Sequence, residues 1–166
     1  MSLEDASGQE PLKVVPVSSS RRTAARRVRV LIVDDIAENR AVLGLCCEQF
    51  GVSSEAVASG REAVEAARSG RFDLVFMDIL MPGMDGVAAT RAIRALPGEA
   101  AAVPIIAVTT ASEPMDVLHY RACGITDVVS KPINVARLMA SLEGAVAEAR
   151  RQRRSKTRHE QVRLSA

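Results

Sequence analysis

Four short apolar runs punctuate this chain, and each ends abruptly at a charged or hydroxyl-bearing residue. Val28, Val30, Leu31, Ile32 and Val33 run into Asp34-Asp35, and Leu74, Val75, Phe76 and Met77 run into Asp78. Ile105, Ile106, Ala107 and Val108 run into Thr109, and Val128-Val129-Ser130 runs into Lys131-Pro132. Runs this short and β-branched read as buried strands of a parallel sheet when helical segments separate them. In an open α/β sheet the ligand crevice lies beyond the carboxyl ends of the strands. Three carboxylates, a hydroxyl and an ammonium are therefore expected along one edge of one sheet.

The intervening segments supply the helices. Ala37 to Phe50 reads as a helix with Val42, Leu43, Cys46 and Phe50 on one face, stopped by Gly51. Ser54 to Ala58 is a weaker strand candidate. Ser59 caps a helix over Arg61 to Arg68 that Gly70 closes. The strand 73–77 delivers Asp78 into the loop Ile79-Leu80-Met81-Pro82-Gly83-Met84-Asp85-Gly86, in which Met81 and Met84 read as packing residues. A helix at 87–96 ends at Pro97-Gly98. Ser112, with Pro114 just beyond, suits the start of the next helix, which Gly124 ends. Strand 127–130 follows, and Asn134 caps a last helix that runs past Arg150. Strand alternating with helix five times over predicts an α/β fold with a doubly wound parallel sheet and helices on both faces.

At 166 residues the chain is most simply one domain with basic ends. Residues 1–29 carry a net +3, residues 30–147 a net −6, and residues 148–166 a net +5. An acidic body suits cation binding, and the ends suit solvated tails. The expected division is a disordered tail at 1–27, a folded domain at 28–147 and an Arg-rich helix extension or tail at 148–166. The last segment holds Arg150, Arg151, Arg153, Arg154, Lys156 and Arg158, with Glu148 and Glu160 interspersed. Clustered Arg also supplies phosphate affinity, so nucleic acid is a second reading of it, but no aromatic interleaves for base stacking.

Cys46, Cys47 and Cys123 are too few and too badly spaced for a disulfide framework, and they read as buried, reduced thiols. No ligand spacing brings His119 or His159 to them. No apolar stretch approaches the roughly 20 residues of a membrane span, and the N-terminus lacks the layout of a secretory signal. Both point to a cytoplasmic location.

The predicted edge has a definite chemistry. Magnesium takes oxygen ligands at about 2.0–2.1 Å, typically one or two carboxylates together with phosphate oxygens and waters. Asp35 and Asp78 suit direct ligation, with Asp34 holding a coordinated water. A carboxylate can attack phosphorus to give an aspartyl phosphate, and phosphoryl transfer is mostly positioning and charge stabilisation. Lys131 then pairs with phosphoryl oxygens as a point charge, and Thr109 offers them a hydroxyl. Charge added there would draw Thr109 and its loop inward, which is a switch.

Over residues 28–147 the chain resembles the receiver domain of the bacterial two-component response-regulator family. The resemblance rests on Asp34-Asp35, on Met77-Asp78 through Asp85-Gly86, on Ala107-Val108-Thr109 and on Lys131-Pro132. It implies a flavodoxin-like sheet of order 2-1-3-4-5. It also implies Asp78 as phosphoacceptor for a histidine kinase or histidine phosphotransfer protein. Asp34, Asp35, Asp78 and the Leu80 backbone carbonyl become Mg²⁺ ligands, Thr109 the switch hydroxyl, Lys131 the phosphate clamp, and the bond before Pro132 cis. Such a domain is a phosphoacceptor and not an enzyme acting on a separate substrate. A downstream protein partner is expected on the last two helices and last strands, near His119, Tyr120 and Val128.

The chain also departs from the family. The aromatic usual three residues before the Lys is replaced by Val128. Tyr120, the sole tyrosine, reads as a surface or packing residue. Thr110 competes with Thr109 as the switch hydroxyl, and spacing to Lys131 favours Thr109. Leu80 and Ala111 flank the family's path for hydrolytic water and cannot orient water by hydrogen bonding, which predicts a slowly hydrolysing phosphate.

Two enzymatic rivals fail on the same residues. A dinucleotide site needs a Gly-rich turn where this chain has Asp34-Asp35, and an aspartate-nucleophile phosphatase wants an Asp-x-Asp arrangement at its first strand. Among receivers, three contexts remain open. They are a stand-alone regulator, a phosphorelay or phosphate-sink domain excised from a hybrid histidine kinase, and a regulator whose basic tail is its output.

Overall fold

The computed structural model describes residues 27–164; the expected tail at 1–27 lies outside them except for its last residue. Five parallel strands, β1 (Arg29–Val33), β2 (Ser53–Val57), β3 (Leu74–Met77), β4 (Ile105–Thr109) and β5 (Asp127–Ser130), form one sheet in the order β2-β1-β3-β4-β5. Between and after them run α1 (Ala37–Gln49), α2 (Gly60–Ala67), α3 (Gly86–Arg94), α4 (Pro114–Ala122) and α5 (Val135–Leu164). This is the doubly wound arrangement expected from the alternating pattern.

Alternation of side chains along each strand divides the core into two layers. Leu31, Val33, Val75, Met77, Ile105 and Ala107 pack with Ala63 and Ala67 of α2, Ala89 and Ile93 of α3, and Tyr120 of α4. Val30, Ile32, Leu74, Phe76, Ile106, Val108 and Val129 pack on the other face with Leu43, Cys46 and Cys47 of α1 and Leu138, Met139 and Leu142 of α5. The three central strands are buried on both faces, hence their unbroken apolar runs.

Several local expectations hold and a few shift. The Ser59 side chain accepts a hydrogen bond from the Glu62 amide at the start of α2, as its capping role requires. α4 is capped by Glu113 in place of Ser112. Glu113 and Asp116 form a reciprocal capping box, and Pro114 occupies the first turn, where its missing N–H costs nothing. In α1 the buried face is Leu43, Cys46 and Cys47, while Val42 and Phe50 are about half exposed. The last helix does run past Arg150, to Leu164, and its 30 residues span about 45 Å.

One half-buried arginine ties two connecting segments together. Arg94, at the end of α3, donates to the carbonyls of Ala101, Val103 and Gly124 at 2.7–3.1 Å. Burial pulls its pKa down from the ordinary arginine value. Gly124, with φ of 98°, presents its carbonyl to that guanidinium from a backbone conformation that favours glycine.

Candidate functional site

Parallel strands with aligned registers end together, so the residues just past them meet. Val33 pairs with Met77, and Met77 with Ala107. One step beyond lie Asp34 and Asp78, and Thr109 pairs with Ser130, which precedes Lys131. The Asp78 amide donates to the Val33 carbonyl at 2.8 Å, carrying the ladder past the last paired residues.

Lys131 closes the site. Its ammonium donates to Asp34 Oδ2 at 2.8 Å and to Asp78 Oδ2 at 2.9 Å. Both acids are buried, Asp34 completely. Asp35 is exposed, yet it offers an oxygen within 4.8 Å of oxygens from Asp34 and Asp78. Three carboxylates facing one ammonium leave an excess of negative charge that a divalent cation would balance. The all-oxygen donor set suits a hard ion such as magnesium.

The charges are tuned by these contacts. Burial pushes the Asp78 carboxyl above its usual value. The hydrogen bond and charge of Lys131 and the Leu80 amide, at 3.2 Å, oppose that shift, and the Asp34 charge adds to it. For Lys131, burial pulls downward, but hydrogen bonds and charge from Asp34 and Asp78 outweigh it and raise the pKa.

Support for Asp34 comes from residues the sequence reading passed over. The Ile36 amide donates to Asp34 Oδ1 at 2.9 Å, Asn39 Nδ2 donates to the same oxygen at 3.1 Å, and Arg40 donates to the Asp34 carbonyl at 2.7 Å. Asn39 and Arg40 lie in the first turn of α1, the position from which a helix side chain reaches back to the preceding loop.

Thr109 is fully buried and Thr110 is exposed. The Thr109 hydroxyl accepts from the Ala111 amide at 3.2 Å, and its carbonyl accepts from the Lys131 amide at 2.8 Å. Leu80 is 59% exposed, beside Asp78, to which its amide is bonded. The Lys131–Pro132 bond is cis, as the resemblance implied.

Around α4 one sequence reading is narrowed and one changes. Tyr120 is a core residue, 5% exposed, in the layer that includes Met77, Ile79 and Met81. His119 Nε2 lies 3.8 Å from Cys123 Sγ, one helical turn away, contrary to the expectation that no histidine approaches a cysteine. Arg91 also donates to that sulfur at 3.2 Å. All three cysteines are free and buried, as expected. Among the described residues, no helix is long and apolar enough to cross a membrane.

The family model described as response regulator receiver domain matches residues 30–143. The chain is 38% identical over 117 residues to the sensor protein GacS of Pseudomonas syringae, covering 69% of this chain and 13% of that protein. It is 33% identical over 114 residues to the DNA-binding response regulator MtrA of Mycobacterium tuberculosis, covering 69% and 48%. The chain thus spans well under two thirds of these relatives. Among solved structures, the receiver domain of the sensor histidine kinase PA1611 from Pseudomonas aeruginosa, with a magnesium ion in its active-site cleft, superposes with a TM-score of 0.67 at 32% identity, covering 73% of this chain and 98% of that one. The chemotaxis protein CheY4 of Vibrio cholerae gives 0.66 at 31% identity, covering 72% and 98%.

Proposed function

The chain belongs to the response regulator receiver domain family, and on that premise we propose that it accepts a phosphoryl group on Asp78 and changes its protein contacts as a result. One observation carries the reading: Lys131 bridges Asp34 and Asp78 at the sheet edge where Asp35 also arrives. A surface lysine would not be held between two buried acids without a use for the charge.

The donor is a phosphohistidine on a histidine kinase or a histidine phosphotransfer protein. An Asp78 carboxylate oxygen attacks phosphorus in line with the leaving imidazole nitrogen. The new O–P bond forms as the N–P bond breaks, and the imidazole departs with its electron pair. The product is an acyl phosphate, and the domain is itself the acceptor and not an enzyme for a separate substrate. Asp34, Asp35, Asp78 and the Leu80 carbonyl would hold Mg²⁺, which when bound would neutralise charge at the phosphoryl oxygens. Lys131 transfers its hydrogen bond from Asp78 to a phosphoryl oxygen while keeping Asp34. The Thr109 hydroxyl donates to another of those oxygens, and the backbone after it follows. Free, buried thiols and a kinase donor fit the cytoplasm.

Incubation with Mg²⁺ and acetyl phosphate tests the proposal. A mass gain of one phosphoryl group is expected in the wild type and is absent in Asp78→Asn. A folded wild type that takes up none removes the reading.

A further inference from the structure

One side chain of α4 is fully inside the core. Of its nine residues only Tyr120 is buried, while Met115 and Leu118 are 76% and 62% exposed. Its carboxyl end is pinned separately, by Arg91 on Cys123 and by Arg94 on the Gly124 carbonyl. Its amino end hangs from the segment that begins at Thr109, on the rim of the acidic site. A helix pinned and anchored near its carboxyl end and joined to the site at its amino end is built to pivot.

The tether packs in the layer that holds Met77 and Ile79, the residues on either side of Asp78. Burial raises the Tyr120 phenol above its ordinary pKa, and the negative charges of Asp116, Asp78 and Asp85 push it further the same way. At neutral pH a phenol carries its proton and can donate a hydrogen bond. In the same packed layer β5 contributes only Val128, a small and partly buried side chain, so the one large polar-tipped ring there comes from α4.

We propose that Tyr120 is the positioning residue that couples the acidic site to α4, its ring anchoring the helix and its hydroxyl answering negative charge added at Asp78. The inference rests on Asp78 being the acceptor. A phosphoryl group there adds oxygen acceptors and charge. The neutral O–H is drawn towards them, the ring moves inward, and α4 rotates about its pinned carboxyl end. Met115 and Leu118 change orientation with it.

The chain is its own reporter, because it has one tyrosine and no tryptophan. The 166-residue protein is treated with Mg²⁺ and acetyl phosphate while intact mass, tyrosine fluorescence and amide exchange over 114–122 are followed. In the wild type, adduct formation is expected to change the fluorescence and to alter α4 exchange about five-fold, the effect of roughly one net hydrogen bond. Tyr120→Phe keeps the anchor, so it should take up phosphate normally but leave α4 exchange unresponsive. Tyr120→Ala loses the anchor, so α4 should exchange fast with or without phosphate. An adduct with unchanged wild-type fluorescence, or a full α4 response in Tyr120→Phe, overturns the coupling and leaves the acceptor reading intact. No adduct in the folded wild type overturns both.

Discussion

The Lys131 ammonium lies 2.9 Å from an Asp78 carboxylate oxygen although 53 residues separate them in the chain. The contact exists because β3 and β5 flank β4 in a parallel sheet and all three end on the same edge of it. Sheet order therefore decides which distant residues become neighbours, and the charge pattern at the strand ends is chemistry only in that order.

Removing the cation should expose how costly the acids are. Lys131→Ala leaves the buried Asp34 and Asp78 carboxylates without their ammonium, and losing one partner of a buried ion pair is far costlier than losing a surface one. We expect roughly 2–3 kcal/mol of lost stability in metal-free buffer by urea unfolding. Added Mg²⁺ should restore part of it, since the ion replaces the missing positive charge. Unchanged stability would mean that the acids are less desolvated than their burial implies.

Metal linkage gives a second measurement. An ion that binds only the folded state raises stability by about 2.7 kcal/mol at a hundredfold excess over its dissociation constant. The wild-type melting temperature should climb with Mg²⁺ and fall back with chelator. Asp35→Asn removes the exposed member of the trio and should weaken that dependence with little effect on metal-free stability. An equal Mg²⁺ response in the variant would exclude Asp35 from the site.

Gly86 sets the shape of the loop beyond Asp78. A Cβ there would fall 2.2 Å from the Asp78 carbonyl oxygen and 2.8 Å from Ile79 Cα, both backbone atoms that cannot swing aside. The Gly86 amide also donates to the Ile79 carbonyl at 2.9 Å, so the amino end of α3 lies directly on the Asp78 peptide. Gly86→Ala should cost about 1–3 kcal/mol by overpacking. It should also slow phosphoryl uptake, because Asp78 must shift and small misplacements of a reacting group are expensive. Normal uptake kinetics in a destabilised variant would separate the packing role from the site.

Much of this site was legible before any coordinates, for a physical reason. Strand ends in a parallel sheet are where apolar runs must stop, so Asp34, Asp78, Thr109 and Lys131 mark themselves by interrupting them. Faces of short apolar helices are less readable. α1 carries Val42, Leu43, Leu45, Cys46 and Cys47 nearly all round, and periodicity alone could not show that Cys47 turns inward while Val42 and Phe50 do not. Tyr120 was left between surface and packing because Met115, Leu118 and Tyr120 are all apolar candidates on α4, and only the folded packing shows that Tyr120 is the one buried. The His119–Cys123 approach was available, since residues four apart share a helix face, but it was weighed only as a metal ligand pattern.

Cys47 predicts the alkaline limit of the fold. Burial, then the neighbouring Cys46, raises its pKa from 9.0 to about 11. A folded pKa above the unfolded one means that the folded state holds its proton longer. The stability contribution is therefore complete below about pH 9 and is lost as pH rises towards 11. The loss across that window should be on the order of 2 kcal/mol. Cys47→Ala should be less stable at neutral pH, having lost its packing, but should show a shallower decline over the same range. Parallel slopes for the two proteins would remove Cys47 as the cause.

Hydrolysis of the phosphorylated protein depends on what stands beside the Asp78 carboxylate. The Leu80 amide bonds Asp78 Oδ1 at 3.2 Å, which places the Leu80 side chain, 59% exposed, next to that carboxylate. An alkyl group there cannot hold a water for attack on phosphorus. Leu80→Asn supplies a donor and an acceptor at the same spot. One neutral hydrogen bond is worth about 1 kcal/mol, which corresponds to a rate gain of roughly five- to ten-fold. The variant should lose its phosphoryl group faster by that factor in Mg²⁺ buffer, followed by intact mass, while forming the adduct at the wild-type rate. The wild type should outlast it by the same margin. Equal decay in the two proteins would mean that water reaches phosphorus by a path that Leu80 does not border.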